Sequence, residues 1–275
     1  MMIDKKTIAV LTTRINEDLY QKSAQLFPEN VQKYVIEGKD GMFALDSLCY
    51  MMKKLRGRGI EWLIMADEDV LFINPNGVYD IMAHMKEHDF IVSGVRDGGQ
   101  IKTRKQNPYA INTFFSVLNF KKLETLWNRA AVHSNQYIRP GEFQDDLSTL
   151  KEEYDTMSLF EPYYCFYFWL RRRGEKILFL EATEPFADDG ITTLVLDTKG
   201  KELLYHTWYA RSYGENEKHT QRIDKVFDLI KFDDTKNPEY LYFYDKLFFI
   251  KKYWRKNSIR VKMKIELILN KLRRK

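Results

Sequence analysis

The chain has 275 residues, 44% of them hydrophobic and 15% aromatic, with a formal net charge of +5 and a mass of 32.9 kDa. This composition excludes a disordered chain, allows one large domain with a sizeable core, and contains no stretch long and apolar enough to span a bilayer. The charge is uneven: residues 251–275 hold eleven Lys or Arg against one acid, Glu266, so the tail carries +10 and residues 1–250 carry −5. An acidic body lacks the basic face of a nucleic-acid binder, so no nucleic-acid partner is expected.

The start, Met1-Met2-Ile3-Asp4-Lys5-Lys6, leads into an apolar run too short for a signal peptide, which predicts a cytoplasmic protein. Cys49 and Cys165 have no metal or redox spacing and are expected as unpaired, buried thiols. Residues Lys6 to Arg14 predict a central strand opening into a polar loop. In open α/β sheets ligands bind beyond the carboxyl ends of strands, so Thr12, Thr13 and Arg14 are placed where a nucleotide docks, or form an ordinary surface loop. A short helix from Asp18 to Leu26, a strand from Val31 to Ile36, a polar turn through Asp40 and a helix from Phe43 to Leu55 follow. Strand and helix alternate as a doubly wound sheet requires.

Trp62-Leu63-Ile64-Met65-Ala66 then runs into Asp67-Glu68-Asp69 and returns to Val70-Leu71-Phe72. A buried strand ending in three carboxylates raises their pKa values and costs stability unless a cation shares the site. In an extended segment Asp67 and Asp69 share a face while Glu68 points elsewhere, a pair suited to a hard divalent ion, with a solvated acidic turn as the structural alternative. This stretch resembles the DxD signature of GT-A glycosyltransferases. The resemblance implies an α/β, Rossmann-like nucleotide-diphospho-sugar transferase sandwich, with Mn2+ or Mg2+ bridging the strand end to the diphosphate of a nucleotide-sugar donor. It also implies nucleotide-sugar contacts from Thr12, Thr13, Arg14, Asp67 and Glu68, and from Asp40 or Asp46.

Asn76 is a plausible cap for a helix reaching His88, and Asp89 to Val95 predict a strand. The loop from Arg96 to Tyr109 has two glycines and four cations without a P-loop pattern, and is expected as a flexible surface loop. Ile111 to Leu123 predict a strand feeding a helix. Its Asn112 and Asn119 resemble the Phe-Asn-x-Gly…Asn-Leu-Lys-Lys-Trp segment of the retaining family 8 glycosyltransferases, which implies a donor contact from Asn112; Phe114 stands where that family has glycine. Gly141 to Leu147 resemble the family's Asp-Gln-Asp-x-Leu-Asn element, which implies Asp145 or Asp146 beside the donor sugar; the alternative is the N-terminus of a short helix.

Glu161 and Pro162 open a predicted helix reaching Arg173 and stopped by Gly174. With the strand from Glu175 to Leu180 it resembles the Glu-Asp…Gly-x-Lys-Ile unit of inverting family 2 enzymes, which implies that Glu161 deprotonates the acceptor. The two cues leave retention and inversion both open. The aromatic run from Tyr163 to Trp169 is expected as core, and Arg171-Arg172-Arg173 as a solvated charge run. Asp188-Asp189 precede strands from Ile191 to Leu196 and from Glu202 to His206. The GT-A resemblance makes His206 the third metal ligand beside Asp67 and Asp69, with the loop Thr207 to Gly214 closing over the diphosphate and Arg211 contacting the phosphates.

Residues 1–220 are read as the catalytic domain and 221–275 as a helical extension. From Leu241 to Trp254 aromatic and basic residues interleave, and Val261, Ile265, Ile268 and Leu272 recur at helical spacing among cations. Such a tail predicts contact with an anionic membrane surface, hence a peripheral protein on the inner face of the cell membrane, or packing on the domain or a homodimer mate. The combined expectation is a hexose-transferring enzyme of surface polysaccharide or glycolipid biosynthesis, acting on a glycan or lipid-linked acceptor. A sugar-phosphate nucleotidyltransferase and a non-catalytic, membrane-associated sugar-binding protein are the alternatives; the first normally needs a glycine-rich loop, which Arg14 to Asp18 lack.

Overall fold

The structure, a computed structural model, describes residues 3–230 and 238–258. Among the described residues eleven strands form two sheets. They are β1 (Ile8–Arg14), β2 (Gln32–Glu37), β3 (Trp62–Ala66), β4 (Val70–Phe72), β5 (Phe90–Arg96), β6 (Ile111–Asn119), β7 (Lys176–Leu180), β8 (Ala182–Thr183), β9 (Thr193–Leu196), β10 (Glu202–His206) and β11 (Leu241–Phe243). The helices are α1 (Glu17–Ser23), α2 (Ala44–Leu55), α3 (Gly77–Glu87), α4 (Phe120–Leu126), α5 (Arg129–His133), α6 (Tyr164–Arg172) and α7 (Glu217–Asp228), and residues 248–258 are also helical. No helix among the described residues is long and apolar enough to cross a membrane.

The main sheet has the order β11-β2-β1-β3-β6-β5-β7. All its neighbours pair in parallel except β6, which runs antiparallel to both β3 and β5. This is the mixed α/β fold with a mostly parallel sheet that the alternation of elements predicts. The small sheet, β4-β10-β9-β8, is antiparallel.

Each face of the main sheet carries its own core. Ile8 and Val10 of β1 and Trp62, Ile64 and Ala66 of β3 join α1, α3, α7 and the small sheet on one face. Ala9, Leu11 and Leu63 join α2 and α6 on the other. The alternation of side chains along a strand sorts one continuous apolar run into two layers. Helix α6 is buried along Tyr164–Leu170, so its aromatic run is core, as expected.

Three features depart from the sequence reading. The boundary at residue 220 falls inside α7, whose Ile223, Val226 and Phe227 belong to the first core, and β11 extends the main sheet beside β2. The C-terminal region is therefore part of the domain up to residue 258, and the proposed amphipathic stripe from Val261 to Leu272 lies outside the described residues. Arg171 and Arg172 are not a solvated run: Arg171 pairs with Asp145, and Arg172 pairs with Glu142 and lies 3.8 Å from the Tyr137 ring centroid. Cys165 is buried but Cys49 is only half-buried, and both are free thiols.

The close crossing of β5 and β6 depends on Gly94, where an added Cβ would lie 2.5 Å from Ile111 Cγ2 and 2.7 Å from the Phe115 carbonyl oxygen. Gly94→Ala is expected to lower stability by about 1–3 kcal/mol, read as a shift of the urea midpoint at unchanged slope.

Candidate active site

The acid triplet sits where the chain changes sheets. β3 ends at Ala66, and the Val70 N–H donates to the Asp67 carbonyl at 3.1 Å in a tight turn into β4. Backbone ladders clamp both sides: Asp67 N–H donates to Phe114 O (2.9 Å), and Thr207 N–H to Asp69 O (2.9 Å). The triplet is thus a turn rather than the extended segment expected, yet Glu68 does point away from its neighbours. Its buried Oε1 accepts the backbone N–H groups of Ile15 (2.9 Å) and Asn16 (3.1 Å), tying the end of β1 to the end of β3.

A cleft of about 500 Å³ opens at this edge, lined by the ends of β1 and β3, the start of α2, the start of β6 and the loop after β10. It lies at the carboxyl end of parallel strands where the sheet order reverses between β1 and its two neighbours, the general ligand position of such sheets. Thr13, Asp67, Glu68, Asp69, Asn112, Glu161 and Arg211 line it. Burial, then the charges of Asp69 and Glu68, hold the Asp67 carboxyl well above the usual carboxylate range. Burial and Asp69 push Glu68 up to about 7, against the backbone donors that favour its ionised form.

The Asp67 carboxylate has no hydrogen-bond or ion-pair partner among the described residues, while Asp69 Oδ1 lies 3.3 Å from His206 Nε2. Two carboxylates at one cleft edge fit Mn2+ or Mg2+, ions that take one or two protein carboxylates and complete their shell with water and phosphate oxygens. His206 does not complete a triad. Its ring stacks on Phe114 with centroids 4.0 Å apart, its Nδ1 is buried without a partner, and among the described residues no three His, Cys, Asp or Glu groups are placed to hold a metal. Phe114, which replaces the glycine of the resembled segment, thus packs against His206.

Several predicted contacts lie elsewhere. Arg14 is buried against Glu17, Glu37 (3.5 Å) and Tyr240, and Thr12 is buried behind the cleft. Asp40 is exposed and accepts from the Tyr244 hydroxyl at 3.3 Å, and Asp46 pairs with Arg255 and Lys252. Asp145 is consumed by Arg96 (3.0 Å) and Arg171, and Asp146 is an exposed turn residue bonded to Ser148 N–H at 2.9 Å; no helix follows them. Of the three acids read as base or sugar-positioning groups, the cleft contains Glu161 alone.

The loop from Arg96 to Tyr109 supplies what the sequence did not suggest. Asp97 is fully buried and accepts from Arg104 Nε (2.6 Å) and Nη2 (2.7 Å), Asn112 Nδ2 (2.7 Å), and the Tyr164 and Tyr163 hydroxyls. Arg104 Nη2 also donates to Glu161 at 2.9 Å. Burial alone would lower the Arg104 pKa; its bonds to Asp97 and Glu161 raise it instead. Across the cleft, Trp208 and Tyr209 both have left-handed φ angles (58° and 62°), a strain typical of functional loops. Trp208 Nε1 donates to Thr193 Oγ1 at 3.0 Å, which fixes the loop carrying Arg211. The Arg211 guanidinium lies 5.3 Å from the Phe43 ring centroid.

No protein family's sequence profile matches the chain, and no curated protein matches it. Among solved structures it is similar to a glycosyltransferase involved in glycosylation of the major capsid of PBCV-1, at 14% identity, covering 54% of this chain and 79% of that one with a TM-score of 0.33. It is also similar to a mannosyltransferase from Pyrobaculum calidifontis in complex with GDP-Man and Mn2+, at 11% identity, 44% and 46% coverage and a TM-score of 0.28. A third likeness is to TarS of S. aureus, at 14% identity, 51% and 52% coverage and a TM-score of 0.24. The chain spans about half the length of these last two.

Two outcomes follow from the electrostatics. Asp67→Asn replaces a carboxyl whose ionisation burial and its acidic neighbours oppose, and is expected to raise the melting temperature of the metal-free protein at neutral pH by about 2–4 °C, read by calorimetry. Arg104→Ala leaves Asp97 buried without its cation and is expected to cost about 3–5 kcal/mol in urea unfolding, with part recovered in the Arg104→Ala/Asp97→Asn double variant.

Proposed function

We propose that this chain is a metal-dependent glycosyltransferase, moving a sugar from a nucleotide-diphosphate sugar to a hydroxyl of a glycan or lipid-linked acceptor. The observation that carries the reading is the unpartnered Asp67 beside Asp69 at the carboxyl edge of the parallel strands, in a cleft shared with Glu161 and Arg211. A divalent cation bound by Asp67 and Asp69 would neutralise charge that builds on the departing diphosphate.

The chain's own groups divide the remaining work. Arg211 offers a cation to the phosphates from the loop after β10, held there by Trp208. Thr13 and Asn112 line the cleft floor as polar contacts for the donor. Glu161 accepts the proton of the acceptor hydroxyl as that oxygen bonds to the anomeric carbon, and the bond from this carbon to the diphosphate breaks with its electron pair leaving on phosphate. Arg104 and Asp97 fix the Glu161 carboxylate in place. With Asp145 and Asp146 held outside the cleft, these residues support single displacement with inversion.

Calorimetric titration of nucleotide sugars with and without Mn2+ tests the reading. Metal-dependent binding of one nucleotide sugar is expected, weakened at least about 100-fold in Asp69→Ala, by analogy with the loss of a metal-site group. Glu161→Gln should bind that donor as the native chain does while turnover falls by about 10²–10⁴. Absence of binding by any nucleotide sugar in either condition would sink the proposal, and donor binding without turnover on any acceptor would favour a sugar-binding protein.

A further inference from the structure

A second cavity, of about 310 Å³, lies on the other side of α2 from the cleft. Ala44, Ser47 and Leu48 of this helix line the cleft, whereas Asp46, Cys49, Tyr50 and Lys53 line the second cavity. Its outer wall is the helix over residues 248–258, laid on the body through buried Phe248 and through Lys252, whose Nζ donates to Gly41 O at 2.8 Å.

The cavity is strongly cationic. Lys53, Arg129, Lys251, Lys252 and Arg255 face it, against only Asp46 and Asp245. Asp46 takes up Arg255 (2.7 Å) and Lys252 (3.2 Å), and Asp245 takes up Lys251 (2.9 Å). Lys53 and Arg129 have no carboxylate within ion-pair distance among the described residues. Met42, Tyr50 and Phe248 make the lining partly apolar. Unneutralised cations around a partly apolar pocket suit a phosphate ester rather than a neutral or cationic ligand.

The helix's other face identifies the source of that phosphate. Phe249, Ile250, Tyr253 and Trp254 are 51–68% exposed, and Leu247 is exposed beside them. At about 100° per residue the first four occupy one continuous side, flanked by exposed Lys251 and Lys256. Aromatic side chains with flanking cations match the interface of an anionic bilayer, where rings sit at headgroup level and cations meet lipid phosphates.

We propose that residues 247–258 seat this protein on an anionic membrane, and that the cavity between α2 and this helix binds the phosphate headgroup of a membrane lipid. The inference deepens the reading of a lipid-linked acceptor, since it brings the bilayer within one helix of the donor cleft, but it does not depend on the sugar-transfer chemistry.

The full chain would be co-sedimented with vesicles of phosphatidylcholine alone and of phosphatidylcholine mixed with phosphatidylglycerol. Binding to the mixed vesicles only is expected. Lys53→Gln/Arg129→Gln should weaken it about tenfold or more while leaving nucleotide-sugar binding in the cleft intact, which also shows that the variant folds. Phe249→Ser/Trp254→Ser should abolish vesicle binding yet retain calorimetric binding of soluble glycerol phosphate. If the native chain ignores mixed vesicles, the membrane reading falls whatever the donor titration gives. If the Lys53→Gln/Arg129→Gln variant binds them as tightly as the native chain does, the headgroup cavity is overturned and the aromatic face alone makes the contact.

Discussion

Everything at the candidate site depends on one constraint: the chain must leave the main sheet after Ala66 and enter the small sheet at Val70, and the turn between them carries three carboxylates. Ladders to Phe114 on one side and Thr207 on the other leave that turn little freedom. The repulsion is not relieved by spreading the acids apart. Glu68 is instead spent on the backbone of Ile15 and Asn16, which joins the neighbouring strand end to the same edge. What remains is Asp67, open to the cleft and raised in pKa, and Asp69, with its Oδ1 3.3 Å from His206 Nε2.

The opposite wall is held by a different device. Asp97 gathers five donors in a fully buried position and so fixes Arg104, which reaches Glu161. A buried carboxylate with this many partners is electrostatically satisfied, and its rigidity passes to the groups it holds. Thus the turn after β3 supplies the acid pair, and the segment before α6 supplies Glu161, held by Arg104. Helix α2 lies between the cleft and the basic cavity, so the two candidate ligand sites share a structural wall without sharing residues.

The misplaced expectations share a cause. Arg14, Asp40, Asp145 and Asp146 were read from their position after a strand or within a short motif, and each finds a partner or solvent away from the cleft. Arg14 is captured by nearby Glu17 and by Glu37 of the neighbouring strand, and Asp145 by Arg96 and Arg171 from segments far apart in the chain. Local sequence names the charge; only the fold names its partner. The loop from Arg96 to Tyr109 shows the opposite pattern, because its glycines and cations suggest a surface loop while Asp97, Ile101 and Asn107 are buried.

The order of strands and helices, the aromatic core of α6 and the acid turn closing a buried strand were legible in the sequence by itself. Each rests on periodicity or on an abrupt change from apolar to charged residues, signals that are local and survive without knowledge of contacts. Tertiary structure alone decided the rest: that Glu68 faces backbone, that His206 lies between Asp69 and the Phe114 ring, that Asp97 and Arg104 hold Glu161, and that β11 returns to the edge of the main sheet. The reason is physical. Hydrogen bonds and ion pairs are satisfied by whichever group the packing brings near, and for Glu68 and Glu161 that group came from tens of residues away.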